Sequence, residues 1–356
     1  MPCGVGSYTL QLARSLAARP GVDVAVLTSK DAGAGPTGVT VLPVMDKWTF
    51  GEVGRVVKAI REWRPDLVHV QYPTLGYGFA RMPVLVPLIS WLLGKRVVCT
   101  FHEPYDHGGL PRFVVQSRPA FKSIVVRPNY EALLPRMARW FLPARNRVYI
   151  ASESAIPRCT ATLLARAALR AAMLDGRQRL VVFFGFLSQQ KGADRLFDIC
   201  NPATDHIVFV GQALPADCAG DRLAALAAQS PWAGHVSFTG FLSETECADM
   251  LAAADAVVLP FRNGGGVWNS SIQAAVQQGV AVITTSYENR GLDRDRHVHW
   301  SGVDDIDDMR SALDRLAGTR RDASLGEVDE WHSIAARHCE LYQDALTAQQ
   351  RCAVTT

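Results

Sequence analysis

Apolar runs of four to seven residues recur along almost the whole chain, separated by stretches whose apolar positions return every three or four residues. Runs that are apolar throughout, rather than alternating, belong to strands covered on both faces, and the amphipathic stretches between them supply the crossovers of a parallel sheet. In the first half strands are expected at 22–28, 39–43, 67–71, 96–101 and 147–151, with helices near 7–18, 51–63, 82–93 and 129–141. In the second half the strands read 180–184, 206–210, 235–238, 256–259 and 280–284, with helices near 193–199, 221–228, 244–254 and 270–278. The fold class is therefore α/β, with two Rossmann-like halves. The seam is expected within 165–178, where an Ala/Arg-rich helix ends in the turn signal Asp175-Gly176 before the strand at Leu180.

One feature is out of order. A Rossmann-like half opens on a strand that feeds a glycine-rich turn, yet Cys3-Gly4-Val5-Gly6 follows directly on Met1-Pro2. The first strand of the N-terminal half is thus expected to be missing, and to be encoded by roughly ten apolar residues upstream of Met1.

Length agrees with two domains, since 356 residues exceed what a single core usually organises. The longest apolar stretch, 82–94, carries two prolines and is shorter than a membrane span, so it reads as a buried helix. No basic segment followed by an apolar one opens the chain, which points to the cytosol. The eight cysteines have no C-x2-C or C-x4-C spacing, so buried reduced thiols are expected rather than a zinc site or disulfides. Charge is divided unevenly: residues 1–160 hold 20 Lys and Arg against 10 Asp and Glu, the remainder 17 against 24. A basic first half suits an anionic membrane surface or a phosphorylated acceptor, and equally a solvated basic face. Nothing points to nucleic acid.

The residues that suggest chemistry begin with VVFFGFLSQQKG (181–192), a glycine turn after a strand with a lysine just before a helix. Backbone N–H groups at Gly185 and a helix N-terminus can face a diphosphate there, and Lys191 adds a charge. On the residues alone the turn reads equally as a structural strand–helix junction and Lys191 as a solvated lysine. His102 ends an apolar strand, where side chains emerge at the ligand-binding edge of an open α/β sheet, or it is a satisfied core histidine.

VSFTGFLSETECADMLAAADAVVLPF (236–261) followed by GGGVWNSSIQAAVQQGVAVITT (264–285) resembles, in order and spacing, the C-terminal domain of family 4 GT-B glycosyltransferases. GVGSYTLQLARSLA is similar to that family's first loop and helix, PDLVHVQ to its middle strand and VVCTFHEPY to its strand ending in histidine. WHSIAARHCELYQDAL looks like its last helix, which crosses back to the first domain. Nearly the whole chain is covered apart from the variable stretch 108–127. The resemblance implies a GT-B fold of two Rossmann-like domains facing across a cleft: an acceptor domain (1–165), a donor domain (166–330) and the crossing helix (331–356). It implies transfer of a hexosyl group from a UDP- or GDP-sugar to a saccharide, lipid-linked or small-molecule acceptor, with retention and with neither cofactor nor metal. His102 and Lys191 are then the catalytic candidates, His102 at the transferred sugar and Lys191 at the diphosphate of the same donor. Donor contacts fall to Gly4, Gly6, Gly185, Gly211, Leu242, Gly265, Gly266, Asn269, Ser270 and Ser271, and acceptor contacts to Gln71, Tyr72 and Glu103. Gly4 and Gly6 would let backbone approach a sugar phosphate, or form a plain tight turn.

The departures are as informative. The family usually carries two glutamates eight positions apart, for sugar and ribose hydroxyls; aligned on Gly279, those places hold Gly266 and Ala274, and Phe186 replaces a basic residue beside the first glycine turn. Asn269, Ser270, Ser271 and Gln273 are the polar alternatives. A non-catalytic GT-B scaffold module, or an enzyme of the sugar-nucleotide epimerase type, are the rival readings. Asp293-Arg294-Asp295 reads as a surface loop rather than a metal motif, and Asp304-Asp305-Ile306-Asp307-Asp308 as carboxylates capping a helix.

Overall fold

The computed structural model describes residues 4–72, 77, 80–102, 109–213, 219–321 and 330–354. The chain divides into two compact units, residues 1–153 with 328–356, and residues 154–327. The division falls ahead of the 165–178 seam because the helix at 163–174 packs wholly within the second unit.

Unit 1 runs α1 (Gly4–Ala17), β1 (Val24–Ser29), β2 (Val39–Met45), α2 (Val53–Trp63), β3 (Leu67–Tyr72), α3 (Val86–Leu92), β4 (Arg96–Phe101), α4 (Gly109–Ser117), β5 (Lys122–Val125), α5 (Tyr130–Leu133), α6 (Arg136–Phe141) and β6 (Arg147–Tyr149). β1 pairs with β2, and β3-β4-β5-β6 form a second sheet, all parallel. Successive strand residues point to opposite faces, so β4 splits its apolar run. Val97, Cys99 and Phe101 join a core with Val56, Phe113, Ala138 and Leu142, while Val98 faces Tyr8, Leu12 and Leu16 of α1. Both cores hold both sheet pieces: Val24 and Leu67 share one, Leu27, Val44 and Val70 the other. Among the described residues no strand is hydrogen-bonded between β1 and β3.

Unit 2 runs α7 (Leu163–Leu174), β7 (Arg179–Phe184), α8 (Leu196–Ile199), β8 (Asp205–Val210), α9 (Ala219–Ala227), β9 (Val236–Gly240), α10 (Glu244–Ala253), β10 (Ala256–Leu259), α11 (Ser270–Gln277), β11 (Ala281–Thr285), β12 (Gly291–Asp293), β13 (Val298–Ser301) and α12 (Ile306–Leu316). The last helix, α13 (Glu330–Val354), belongs to unit 1, where it packs on α1 and β4. The unit 2 sheet has the order β12-β13-β11-β10-β7-β8-β9, parallel except for β12. From β7 the chain winds outward through β8 and β9, then returns beside β7 with β10 and continues through β11 to β13. The order reverses between β7 and β10, and in such sheets ligands bind beyond the carboxyl ends of the strands at that switch point. β8, β10 and β11 are buried at every position, as continuous apolar runs demand. Ser243 and Glu246 form a capping box on α10, and Asp305 caps α12 by accepting from the Asp308 amide at 3.1 Å.

Three local readings of the sequence are corrected, and one stretch left unassigned gains elements. The helix expected at 129–141 is broken into α5 and α6, because Pro135 lacks an amide hydrogen and pushes Leu134 to an extended conformation. The stretch 82–93 opens as a tight 3-10 turn and is only half buried, with Trp91 and Leu92 exposed at its end. Gly4 and Gly6 lie in the first turns of α1 rather than in a turn ahead of it. The variable stretch 108–127 contains a helix and a strand, α4 and β5. No helix among the described residues is long and apolar enough to cross a membrane.

Candidate active site

Unit 2 builds its switch point largely from backbone. β7 ends into Gly185 and β8 into Gly211, both at positive φ (135° and 144°). A Cβ on Gly211 would lie 2.0 Å from the Gly185 carbonyl oxygen, so the two turns touch main chain to main chain and tolerate no side chain between them. Gly185 N–H donates to Val210 O at 3.0 Å and Gly211 N–H to Gly240 O at 3.1 Å, which locks three strand exits together. A Cβ on Gly185 would come within 3.7 Å of Ser271 Oγ, so the first turn of α11 sits against this seam. The amides that open a helix and its dipole suit an anion. Asn269 caps the approach by accepting from Gly266 N–H at 2.8 Å, while Ser270 is exposed and Ser271 buried.

Lys191 closes the same turn. Its Nζ lies 4.6 Å from the centre of the Phe261 ring, a cation held on an aromatic face at the exit of β10. Gly192 is glycine for packing, since a Cβ there would lie 2.2 Å from Pro260 O. Arg262, which the sequence reading did not single out, binds the Lys191 turn from the other side. Its Nε donates to Gln189 O at 3.0 Å and its Nη2 to Asp194 at 2.7 Å. The signal was present: a basic residue three places beyond a buried apolar strand. Gly265 is held by an N–H bond of 2.6 Å to Thr285 O, with its Cα face closed by Phe261. Leu242, at the exit of β9, packs partly against the core, leaving Phe241 exposed beside it.

Unit 1 gathers side chains instead. His69, Gln71, Thr100 and His102 occupy alternate positions at the ends of β3 and β4 and so share the face that α1 and α13 cover. Gln71 Oε1 accepts from His102 Nε2–H at 2.8 Å, and the other end of the amide points at His69 Nε2, 3.4 Å away. Thr100 Oγ1 lies 2.7 Å from His69 Nε2, and His69 Nδ1 lies 2.6 Å from the hydroxyl of Tyr342 on α13. Because an amide oxygen only accepts, His102 carries its proton on Nε2 and keeps Nδ1 as an acceptor. Burial, reinforced by His338, lowers the pKa of His102 to about 3, and burial lowers that of His338 to about 4. His69 is held well below the usual range by burial, then by His338 and His102. Burial keeps Tyr342 well above the usual tyrosine range. The cluster is neutral at physiological pH. Tyr8 edges against the His102 ring at 4.9 Å.

The sequence-derived acceptor residues fare differently. The Gln71 amide is engaged by two histidines, the Tyr72 side chain is buried in the unit 1 core, and Glu103 lies outside the described residues. Gly4 and Gly6 are exposed on α1, and a Cβ on Gly4 would meet nothing within 4 Å. Among the described residues no group of three His, Cys, Asp or Glu side chains could hold a metal ion. Asp293 pairs with Arg296 at 3.3 Å.

The sequence matches the family described as Glycosyltransferase Family 4 over residues 2–157, and Glycosyl transferases group 1 over residues 178–318. The chain belongs to glycosyltransferase family 4.

Solved structures agree on the fold. Anabaena HepE in complex with UDP and glucose is similar with a TM-score of 0.69 at 15% identity, over 100% of this chain and 96% of that one. Sucrose-phosphate synthase from Thermosynechococcus elongatus gives 0.69 at 18%, over 97% and 94%. The lipopolysaccharide outer core galactosyltransferase WaaB gives 0.59 at 13%, over 98% and 96%. No curated protein matches the sequence. Family 4 membership makes the chain a GT-B-like glycosyltransferase that uses nucleotide sugars.

The two positions that the resemblance leads one to compare with the family's glutamates, Gly266 and Ala274, are closed in this chain. A Cβ on Gly266 would lie 2.2 Å from the Trp268 ring, so the indole fills the place of any side chain there. Ala274 is fully buried in the unit 2 core, where an unpaired carboxylate would be costly. Arg262 adds positive charge to the turn at which Phe186 stands for the family's basic residue.

Proposed function

We propose that unit 2 binds the nucleotide diphosphate of a UDP- or GDP-hexose at its switch point and that the enzyme transfers the hexose, with retention, to a saccharide, lipid-linked or small-molecule acceptor. The observation that carries this reading is the seam of Gly185 and Gly211 against the first turn of α11, with Lys191 closing it. Its amides, dipole and fixed cation are complementary to a diphosphate, and they become more so as charge grows on the leaving group. HepE, whose structures hold UDP and UDP-glucose, favours a uridine donor. Asn269, Ser270 and Ser271 take the hydroxyl contacts that the absent glutamates would make.

His102 is assigned to the transferred sugar. A neutral imidazole with Nε2–H held by Gln71 offers Nδ1 as an acceptor to a sugar hydroxyl. Gln71 is then a positioning residue rather than an acceptor ligand. A thermal-shift panel of UDP-, GDP- and ADP-sugars tests the donor assignment. The true donor at about 100 times its Kd stabilises by about 2.7 kcal/mol. An ADP-sugar shift with none from uridine or guanosine donors overturns it.

A further inference from the structure

We propose that α5 and α6 form a wedge that docks unit 1 on an anionic lipid surface. Between residues 109 and 150 the sequence holds eight Lys and Arg but a single acid, Glu131, and that acid is ion-paired with Arg147 at 2.6 Å. Arg118, Arg136, Arg139 and Arg145 are exposed. The apolar side chains between them are exposed as well: Trp140 at 82%, Met137 at 66% and Leu133 at 45%.

The exposure is built in. Ala138 and Leu142, four apart on α6, are fully buried in the unit 1 core and set which side of the helix faces inward. Arg139 Nε donates to Leu134 O at 2.9 Å and ties α6 to α5. Arg136 and Trp140, also four apart, are therefore left outward with Met137 beside them. Pro135 breaks the helix, so the exposed apolar side chains stand on two short pieces rather than along one continuous helical face.

Isolated exposed apolar residues are ordinary on a protein surface, and so are isolated arginines. Their combination selects the occupant. An apolar protein partner would gain nothing from so many exposed cations, and a soluble phosphate would gain nothing from an exposed tryptophan, methionine and leucine. An anionic bilayer interface takes both: tryptophan favours the headgroup region, methionine and leucine reach the acyl boundary, and arginines bind lipid phosphates. This surface is independent of the donor site in unit 2.

Co-sedimentation with phosphatidylcholine vesicles, with and without phosphatidylglycerol, tests the proposal. The full chain is expected to partition onto the anionic vesicles alone, more weakly as salt rises. Arg136→Glu removes one positive charge and adds a negative one, so it should weaken partition about fivefold per unit of charge. Met137→Asp with Trp140→Asp should lower it at least tenfold while leaving the melting temperature and the hydrolysis of a soluble nucleotide sugar unchanged. Leu164→Asp, at an equally exposed leucine of unit 2 (81%), should change nothing. Equal binding to neutral and anionic vesicles overturns the proposal, as does a Met137→Asp/Trp140→Asp protein that binds like the parent. Binding of inorganic phosphate without vesicle partition assigns the patch to a soluble ligand. Self-association abolished by the same double substitution assigns it to a second copy.

Discussion

At the carboxyl ends of the unit 2 strands the groups on offer are backbone amides, and glycine is required wherever two turns meet. At the ends of β3 and β4 in unit 1 the polar groups are side chains, each held by another: His102 by Gln71, Gln71 by His69, His69 by Thr100 and Tyr342. The two solutions fail differently. A backbone site is destroyed by adding a methyl group, whereas a side-chain relay loses its orientation while the fold survives.

The largest expected effect follows from the backbone site. Gly211→Ala places a methyl 2.0 Å from Gly185 O at a φ of 144°, and should destabilise unit 2 by about 3 kcal/mol or more. Chemical denaturation reads it, and a change below 1 kcal/mol would mean that the two turns do not touch. Lys191→Ala should raise the barrier to transfer by about 2.7 to 4 kcal/mol and weaken UDP or GDP binding in parallel. Calorimetry beside kinetics checks this, and unchanged nucleotide affinity would assign the lysine elsewhere.

In unit 1 the effects are smaller and separate binding from turnover. His102→Ala, which loses one hydrogen bond to the sugar, should lower kcat about 10- to 100-fold with nucleotide affinity nearly intact. Gln71→Glu should leave the imidazole in place but raise its pKa, since a carboxylate beside Nε2 favours the charged form. The acid limb of kcat then moves to higher pH, a shift that a purely structural glutamine would not produce.

The same cluster makes a stability prediction. His102, His338 and His69 are held neutral in the fold below the ordinary value of 6.5, whereas the unfolded chain protonates near it. Stability is therefore complete above pH 6.5 and falls as pH drops, until the folded values of His338, about 4, and His102, about 3, are reached. The fully buried His338 contributes a slope of about 1.4 kcal/mol per pH unit in that window. A melting temperature flat from pH 7 to 4.5 would contradict the assignment.

How much of this was legible depends on what each feature is made of. β7, β8, β10 and β11 are mostly apolar runs and, with β9, were readable to within two residues; the short antiparallel edge strand β12 was not read. Neither was β13, because Val298, His299, Trp300 and Ser301 mix polar and apolar residues; His299 is buried there with its Nε2 2.9 Å from Asp308. The turn that carries Gly185 and Lys191 could be read from spacing, since a turn between strand and helix is local, while their assignment to a donor came from the family resemblance. The role of Gln71 could not, because its partners His69 and His102 meet it through strand pairing and Tyr342 comes from 273 residues away. Alternation of His69 and Gln71 in an apolar strand was the trace of it left in the sequence.

Gly4→Ala is the smallest effect and the sharpest contrast with Gly211. A Cβ there meets nothing within 4 Å and the residue is helical, so alanine should stabilise by about 0.5 to 1 kcal/mol or less. A loss of nucleotide-sugar turnover in this variant would instead mean that the exposed α1 terminus approaches the donor.

The central claim, that the switch point of unit 2 activates a nucleotide sugar for transfer, is tested most directly by following donor turnover by NMR in the parent chain and in Lys191→Ala. The account predicts slow release of UDP or GDP from one hexose donor, faster with an acceptor, with the anomeric configuration kept in the product. Lys191→Ala should remove nearly all of it. Saturable nucleotide binding with no release from any donor, with or without acceptors, would contradict it and leave a binding module in its place.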